Sequence, residues 1–426
     1  MNSMDRREFA LRAFSGIAGG SLLSAVTHEH LSAQTGSAAT ALTGRDDGEQ
    51  FWELVKSSFA LLPGLTYFNN GSLGPSPSLV IEATEKYRRM LDAYPSKYMW
   101  GGWNNEKESV RTKAAALLGA GTDEIALIHN TTEGMNVVAS SMDLRPGDEV
   151  ILADHEHASG TVCWQYYQEP KGVKLVRPKL PILPASPAEI VEVYRQALSP
   201  RTRVISMCHV INTNGMILPV REVSEMAHAR NILVAVDGAQ AAGMFCFDVH
   251  QLGCDFYAAS AHKWLFAPKG IGIFFTKKDS QKYIRPLVVA AGWEDKSVKR
   301  FENYNTRNLP ELLGLGAALD FRNMIGGGHI ETRIQDLKHY FRERLSGKPQ
   351  YKFKTPAADD LSAGISTVEM EGHSVTELGQ KLSARQIDCR AMTEFGLNGL
   401  RISLCVYNTK RDVDTLVQAL EDLRSS

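Results

Sequence analysis

A lysine flanked by serine and histidine, with an aspartate further upstream, is the part of this chain best suited to covalent chemistry. Lys263 lies in the segment Ser-Ala-His-Lys-Trp (260–264), and Asp237 lies in Val-Asp-Gly-Ala-Gln (236–240). A lysine amine can hold an aldehyde as a Schiff base and later move protons, and a carboxylate can keep a pyridine nitrogen protonated. Either residue alone is common at a surface or a helix cap. Together they predict a site for pyridoxal phosphate (PLP).

The elements that must position this pair are alternating strands and helices. Helical patterns near 132–142, 187–198 and 220–230 separate apolar runs that predict strands, which favours a mostly parallel, doubly wound α/β sheet. The last two runs are too close together for a crossover helix, so they predict an antiparallel hairpin. The apolar runs are 125–128, 150–152, 204–208, 232–236, 256–259 and 271–275.

The C-terminal third has a different pattern. A long helix from about Pro310 is interrupted by the glycines at 326–328 and resumes to about Leu345. The segments 364–370, 374–385, 400–405 and 412–423 then predict strand, helix, strand and helix. We therefore expect four parts: a signal (1–33), a tether and N-terminal segment (34–60), a large PLP-binding domain (61–309) and a small α+β domain (310–426).

Polar residues follow several of the predicted strands. Ligands of open α/β sheets bind beyond the carboxyl ends of the strands, where Asp237 and Asn212 fall. Thr131 follows another strand and opens a helix, whose free N–H groups and positive dipole end suit a phosphate. The alternative for Thr131 is a plain helix cap. Its position on the same edge as Asp237 favours a phosphate site.

Two further residues have both a functional and a structural interpretation. His157 follows the strand at 150–152 and could stack on a pyridine ring, or it could be a solvated loop histidine. Arg401 lies in the last predicted strand. It could bind a substrate carboxylate through two hydrogen bonds, or it could be an exposed strand-edge arginine.

Composition and the N-terminus bear on partners and location. A net charge of -1 gives no reason to expect nucleic acid or an acidic membrane as partner. The six cysteines lack metal-type spacing, and no metal site is apparent. Arg6 and Arg7 precede an apolar stretch, about 14–26, that is too short to span a bilayer. This arrangement resembles a twin-arginine export signal, so we expect a periplasmic or exported protein. The alternative is an amphipathic or disordered N-terminus with chance arginines.

Several motifs, in order along the chain, resemble class V aminotransferases, a family of fold-type I PLP enzymes. They are Thr-Thr-Glu-Gly (131–134), the two segments around Asp237 and Lys263, and Arg-x-Ser-x-x-x-Tyr-Asn-Thr (401–409). The resemblance extends from about Tyr67 to Asp414. It implies a seven-stranded, mostly parallel, doubly wound sheet with a smaller C-terminal α+β domain.

The resemblance also implies roles for matching residues. Lys263, Asp237 and His157 would be catalytic, as the Schiff-base lysine, the pyridinium partner and the ring-stacking residue. Thr306 resembles the position that reaches the neighbouring subunit's phosphate, which implies a homodimer. The residues implied to contact the cofactor are Thr131, Thr132, Glu133, His157, Asn212, Asp237, Gln240, Ser260, His262, Lys263 and Thr306. Those implied to contact the substrate are Arg401, Asn70 and Arg390.

Two departures from the family indicate the branch. Cysteine desulfurases carry a loop cysteine before the carboxylate-binding arginine, whereas residues 390–399 contain none and Cys389 precedes the loop. Phe-Asn-Asn-Gly-Ser-Leu-Gly-Pro (68–75) replaces the desulfurase Leu-Asp-Asn-Ala-Ala and resembles the isopenicillin N epimerase-like branch. Together with the export signal, this suggests periplasmic tailoring of a peptide or siderophore.

We therefore expect a PLP-dependent enzyme that acts on an amino-acid-like or peptide amine. Lys263 would form a Schiff base and remove the Cα proton to give a quinonoid intermediate, which leaves transamination, epimerisation and elimination open. The alternatives are a cysteine desulfurase or C–S lyase and a non-catalytic binding protein with the same fold. The retained Lys263, Asp237 and Arg401 argue against the last.

The export hypothesis makes a direct prediction. Replacing the pair by Arg6→Lys and Arg7→Lys should abolish export of a reporter fused after residue 33, because the twin-arginine machinery recognises that pair. Cell fractionation measures the exported share. Arg12→Lys, which lies outside the pair, is the matched control. Unchanged export of the double variant would show the interpretation to be wrong.

Overall fold

The computed structural model describes residues 48–424. The predicted signal at 1–33 and most of the predicted tether lie outside these residues. None of the helices in this range combines the length and the hydrophobicity that a membrane span requires.

The described chain alternates helices and strands over most of its length. The helices are α1 Glu49–Ser57, α2 Ser78–Ala93, α3 Pro95–Met99, α4 Asn104–Leu118, α5 Thr131–Ser141, α6 Ala158–Lys171, α7 Pro187–Ala197, α8 Val220–His228, α9 Val249–Leu252, α10 Leu309–Ile325, α11 Gly327–Leu345, α12 Val375–Ser383 and α13 Lys410–Arg424. The strands are β1 Thr66–Tyr67, β2 Ile125–Ile128, β3 Glu149–Ile151, β4 Lys174–Val176, β5 Thr202–Cys208, β6 Leu233–Asp237, β7 Phe256–Ser260, β8 Gly272–Thr276, β9 Tyr351–Phe353, β10 Ile365–Met370, β11 Ile387–Asp388, β12 Arg390–Met392 and β13 Gly399–Ser403.

The large sheet has seven strands in the order β2-β8-β7-β6-β5-β3-β4. Its strands are parallel except β8, which runs antiparallel to both of its neighbours. This confirms the predicted fold class and the predicted hairpin of β7 and β8. The sequence patterns missed β4, because this three-residue strand is partly exposed and lacks a continuous apolar run.

Parallel pairing brings the carboxyl ends of β5, β6 and β7 to one edge. Cys208 pairs with Asp237, and Asp237 pairs with Ala258 two residues before the end of β7. Helix α5 approaches this edge closely at Gly134, where an added Cβ would lie 2.6 Å from the Cβ of Ala258. The absence of a side chain there lets the N-terminus of α5 lie beside the end of β7.

The small sheet is antiparallel, in the order β12-β13-β10-β9. Apolar residues of α11, α12 and α13 form one buried cluster with it, as predicted for an α+β unit. The helix break occurs at Gly326, whose φ of 95° strains any other residue. Helix α10 packs on α2 and α4 beside the large sheet. The proposed domain boundary at 309/310 stays a prediction.

The N-terminal segment is tied to the C-terminal part of the chain. Strand β1 pairs in parallel with β11. The Lys56 amine lies 2.7 Å from a carboxylate oxygen of Asp412, and Glu49 forms an ion pair with Arg333. These contacts bring residues 69–74, which follow β1, to the gap between the two sheets.

Candidate active site

Asp237 and Lys263 lie at the edge where the strands end. Asp237 is buried, and its Oδ1 accepts a hydrogen bond of 2.9 Å from the backbone N–H of Ala239. Lys263 is half-buried in the turn after β7. The pKa of the Lys263 amine is lowered to about 8, chiefly by burial. The negative charge of Asp237 opposes this shift, and the positive charges of Arg401 and Arg390 add to it. Electrostatically, these four residues form one site.

The N-terminus of α5 forms the second part of the site. Asn130 caps the helix by accepting from the N–H of Glu133 at 3.1 Å. The N–H of Thr131 donates to Ser260 Oγ at 3.0 Å, and the Ser260 hydroxyl donates to Thr131 Oγ1 at 2.9 Å. Thr132 is exposed on the same turn. The predicted phosphate residues of α5 and β7 are therefore adjacent.

His262 carries an unpaired polar atom into this region. Its Nδ1 is buried and has no hydrogen-bond partner among residues 48–424. Burial and the neighbouring positive charges of Lys263 and Lys269 lower the pKa of His262 to about 4, so its ring is neutral at physiological pH. A buried nitrogen without a partner is costly unless a ligand atom pairs with it.

Glu133 is engaged by the protein itself. One carboxylate oxygen of Glu133 accepts a hydrogen bond from the backbone N–H of His129 and lies 2.7 Å from the Nδ1 of the same histidine. The other carboxylate oxygen accepts from the hydroxyl of Tyr304. These bonds connect the start of α5 to the loop that carries Thr306, which is exposed. The direct contact of Glu133 with a cofactor stays a prediction.

His157 is half-buried and caps α6. Its Nδ1 accepts from the N–H of Ser159 at 3.1 Å, which leaves the proton of the neutral ring on Nε2. Burial lowers the pKa of His157, although the negative charge of Asp237 opposes this shift. The ring is therefore neutral and borders the same site as Asp237, which suits stacking on a cofactor ring.

Gln240 and Asn212 border the site with part of their polar groups already bonded. Gln240 donates from Nε2 to the carbonyl of Gly71 at 2.8 Å and accepts from the indole N–H of Trp264 at 2.9 Å. One Nε2 hydrogen remains for the predicted contact with a ring hydroxyl. The backbone carbonyl of buried Asn212 accepts from Arg401 Nη1 at 3.1 Å.

Arg401 is buried, with 1% of its surface exposed, and its partners are neutral. Its Nη2 donates to Asn69 Oδ1 at 2.9 Å and to Ser72 Oγ at 2.6 Å. Its Nε has no partner among the described residues. Burial and the like charge of Arg390 lower its pKa to about 10. A buried guanidinium whose direct partners carry no charge is suited to an anionic ligand.

Of the other two predicted substrate residues, Arg390 lies beside Arg401, and Asn70 follows Asn69, whose side chain accepts from Arg401. Arg390 pairs with Arg401 in register across β12 and β13, and its guanidinium donates to Glu394 at 2.7 Å. Asn70 is fully buried and accepts from the Tyr407 hydroxyl at 3.1 Å. Its Nδ2 has no partner within residues 48–424. Arg390 therefore adds a second positive charge beside Arg401.

Sequence reasoning missed the residues that orient Arg401. In the sequence, Asn69 and Ser72 indicate only the branch. The close approach of Gly71, whose added Cβ would lie 3.4 Å from Arg401 Cζ, brings these side chains to the guanidinium. Glu156 was also missed, although it is buried beside the site. The only sequence signal for Glu156 is the run of polar residues that follows a short strand.

The family follows from comparison with known proteins. The model of "Aminotransferase class-V" matches residues 66–416, most of the chain. The chain belongs to the class-V aminotransferase family. Class-V enzymes depend on PLP, so PLP is the cofactor of this protein. No cluster of three or more metal-binding side chains occurs in the described part of the chain.

Relatives of this class-V enzyme include proteins with two different names. Isopenicillin N epimerase of Streptomyces clavuligerus is 32% identical over 87% of this chain and 98% of its own length. Cysteine desulfurase of Serratia proteamaculans is 30% identical over 87% of the chain and 98% of its length. The solved cysteine desulfurase CsdA of Escherichia coli is 26% identical with a TM-score of 0.75, covering 86% of this chain and 97% of its own.

The residues of this class-V site fit PLP. A helix N-terminus, two hydroxyl residues and the unpaired Nδ1 of His262 suit a phosphate. Asp237 can hold a pyridine nitrogen, and Lys263 can hold the aldehyde. His157 can cover the ring face. These roles for individual residues stay predictions until variants are measured.

The lysine assignment makes the second prediction. Borohydride should fix PLP covalently to the wild type but not to Lys263→Ala, because only this amine would be linked to the aldehyde. Mass spectrometry of the reduced protein detects the added mass. The control is Lys269→Ala, which removes another lysine of lowered pKa from the same loop. Covalent label retained by Lys263→Ala would contradict the assignment.

Proposed function

We propose that this class-V PLP enzyme removes and returns the Cα proton of an amino-acid-like amine, an epimerase-type reaction. The observation that carries the proposal is the buried charge of Arg401, whose direct hydrogen-bond partners are neutral, in the same site as Lys263. The Nε of Arg401 has no partner among the described residues and its Nη1 keeps one free hydrogen, so the guanidinium can donate to a substrate carboxylate. An amine linked to that carboxylate would then lie near the lysine.

The residues of the site have complementary tasks in this proposal. PLP, when bound, supplies the aldehyde and the electron-accepting ring. With a pKa of about 8, roughly a quarter of the Lys263 amines are unprotonated at pH 7.5 and can accept a Cα proton. Asp237 holds the ring nitrogen protonated. Arg401 fixes the carboxylate, and this orientation decides which Cα bond is cleaved.

Sulfur transfer is the less favoured alternative. A persulfide needs an accessible thiolate, but burial and the nearby Asp388 raise the pKa of Cys389 to about 12. The loop after Arg390 instead carries Phe395, whose ring centroid lies 4.8 Å from that of His155. A C–S lyase needs no loop thiol and is distinguished by its products.

The reaction type can be measured in deuterated water. We expect one amino acid or peptide amine of a panel to gain a single deuterium at Cα and to lose optical purity, without ketone or ammonia. NMR and mass spectrometry detect each product. A 2-oxo product without ammonia would contradict the proposal in favour of transamination. A 2-oxo product with ammonia and loss of the side chain would indicate elimination, and sulfide from cysteine would indicate a desulfurase or lyase.

Replacing one buried and one surface arginine distinguishes a loss of substrate binding from a general effect of removing an arginine. Arg401→Gln should lower kcat/KM about 100-fold, since a buried charged hydrogen-bond pair contributes roughly 3 kcal/mol. Arg385→Gln changes an exposed arginine that pairs with Asp422 at the surface, and its kcat/KM should stay within twofold of the wild type. Equal activity of both variants would contradict the role of Arg401.

We also propose that the protein is exported by the twin-arginine machinery and acts on a peptide or siderophore amine in the periplasm. The arginine pair at positions 6 and 7 supports export. The glycine and serine at positions 71 and 72 support a larger substrate, because they add little bulk beside Arg401. The peptide amines of the deuterium panel test this substrate class.

We further propose a homodimer with shared active sites. Leu287, Val289 and Trp293 are exposed apolar residues on the segment that leads to Thr306. Sedimentation equilibrium should give twice the chain mass, and Val289→Asp with Trp293→Asp should give monomers of reduced activity. The control is Val162→Asp, at an exposed valine on α6. A fully active wild-type monomer would contradict the dimer.

A further inference from the structure

Glu156 is a buried carboxyl group that the proposed reaction does not use. It lies on the loop between β3 and α6, with 5% of its surface exposed. Its Oε1 accepts from the backbone N–H of Cys208, the last residue of β5, at 3.1 Å. The side chain thus reaches across to the strand edge at which the site is built.

Asp237 is the neighbour that matters for the chemistry. Cys208 and Asp237 are partners in the register of β5 and β6. The position of a Cβ added to Gly160 lies 3.6 Å from Asp237 Oδ2 and 3.9 Å from Glu156 Oε2. Both carboxyl groups therefore border one small gap beside the first turn of α6.

No cation contacts Glu156 among residues 48–424. The ionisable groups that influence it are Asp237, Cys208, Arg177 and, from α7, Tyr194. The attraction of Arg177 is the weakest of the influences on Glu156. Asp237, in contrast, faces the positive charge of Lys263. Two neighbouring buried carboxyl groups do not both ionise, and the one without a cation keeps its proton.

We propose that Glu156 is a positioning residue that remains a neutral carboxylic acid, so that Asp237 carries the single negative charge on this side of the site. This inference rests on the proposed function in one respect, which is that Asp237 holds the ring nitrogen of PLP. A second negative charge in the gap would repel the Asp237 carboxylate and push the two groups apart. That separation would weaken the hold of Asp237 on the cofactor ring.

The titration of Glu156 gives this proposal a pH signature. Burial, with repulsion from Asp237, raises its pKa to about 8, whereas the unfolded chain loses the proton near the ordinary value of 4.5. Stability that depends on the neutral form is therefore complete below pH 4.5 and is lost as the pH rises through 8. Glu156→Gln keeps the shape of the side chain and an acceptor oxygen, but its amide group does not ionise.

Two measurements test the proposal on the holoenzyme. In infrared difference spectra between pH 7 and pH 9.5, the wild type should lose a carboxylic-acid carbonyl band that Glu156→Gln lacks at both pH values. Because the Lys263 amine also titrates near pH 8 in both proteins, the readout is the ratio of the PLP dissociation constant of the wild type to that of Glu156→Gln. This ratio should rise about tenfold from pH 7 to pH 9, as linkage to one group of pKa 8 requires.

Glu149→Gln is the matched control. Glu149 is a buried glutamate at the opposite end of β3, and it is paired with Arg201 at 2.9 Å. This variant should be less stable but should keep the wild-type infrared band and PLP linkage. A band that persists in Glu156→Gln, or an equal rise of the PLP dissociation constant in it, would overturn the proposal. Neither readout depends on the substrate, so failure of the epimerase proposal leaves this test intact.

Discussion

The burial of Arg401 and Lys263 in one site, with Asp237 as the buried opposing charge, is the constraint on which the active site depends. Moving a charge out of water costs several kcal/mol unless hydrogen bonds or opposite charges compensate. Here Arg401 is stabilised by neutral oxygens of Asn69, Ser72 and Asn212. Burial lowers the pKa of Lys263, and the positive charge of Arg401 lowers it further and favours an anionic ligand.

The fold brings three distant parts of the chain together to satisfy this constraint. The parallel strands of the large sheet place Asp237 and Ser260 at one edge. The small sheet contributes Arg401 from β13, and residues 69–72 lie between the two sheets. Gly71 permits the close approach because a side chain there would contact the guanidinium. The pairing of β1 with β11 holds the N-terminal segment in this position.

The large sheet was largely predictable because its signals are local. Apolar runs separated by helical patterns predicted the strands that carry Asp237 and Ser260, and the short connection predicted the hairpin. Strand β4 was missed, because a three-residue edge strand has too few buried residues to leave a pattern. The motifs also predicted residues that the fold brings to one edge of the sheet, such as Thr131 and Ser260. The partners of Gln240 and Glu133 were not predictable, because they lie on other elements.

The sequence by itself determined the chemical groups and the strands that carry them: a lysine, an aspartate at a strand end, and an arginine in a late strand. Only the tertiary structure decided their charge states and their partners. Arg401 and Asn69 are 332 positions apart, and no local pattern predicts a contact over that separation. Likewise, Glu156 reads as one more polar loop residue until packing buries it without a cation beside Asp237. The reason is physical, since desolvation and Coulomb interactions depend on distance in the folded protein and not on position along the chain.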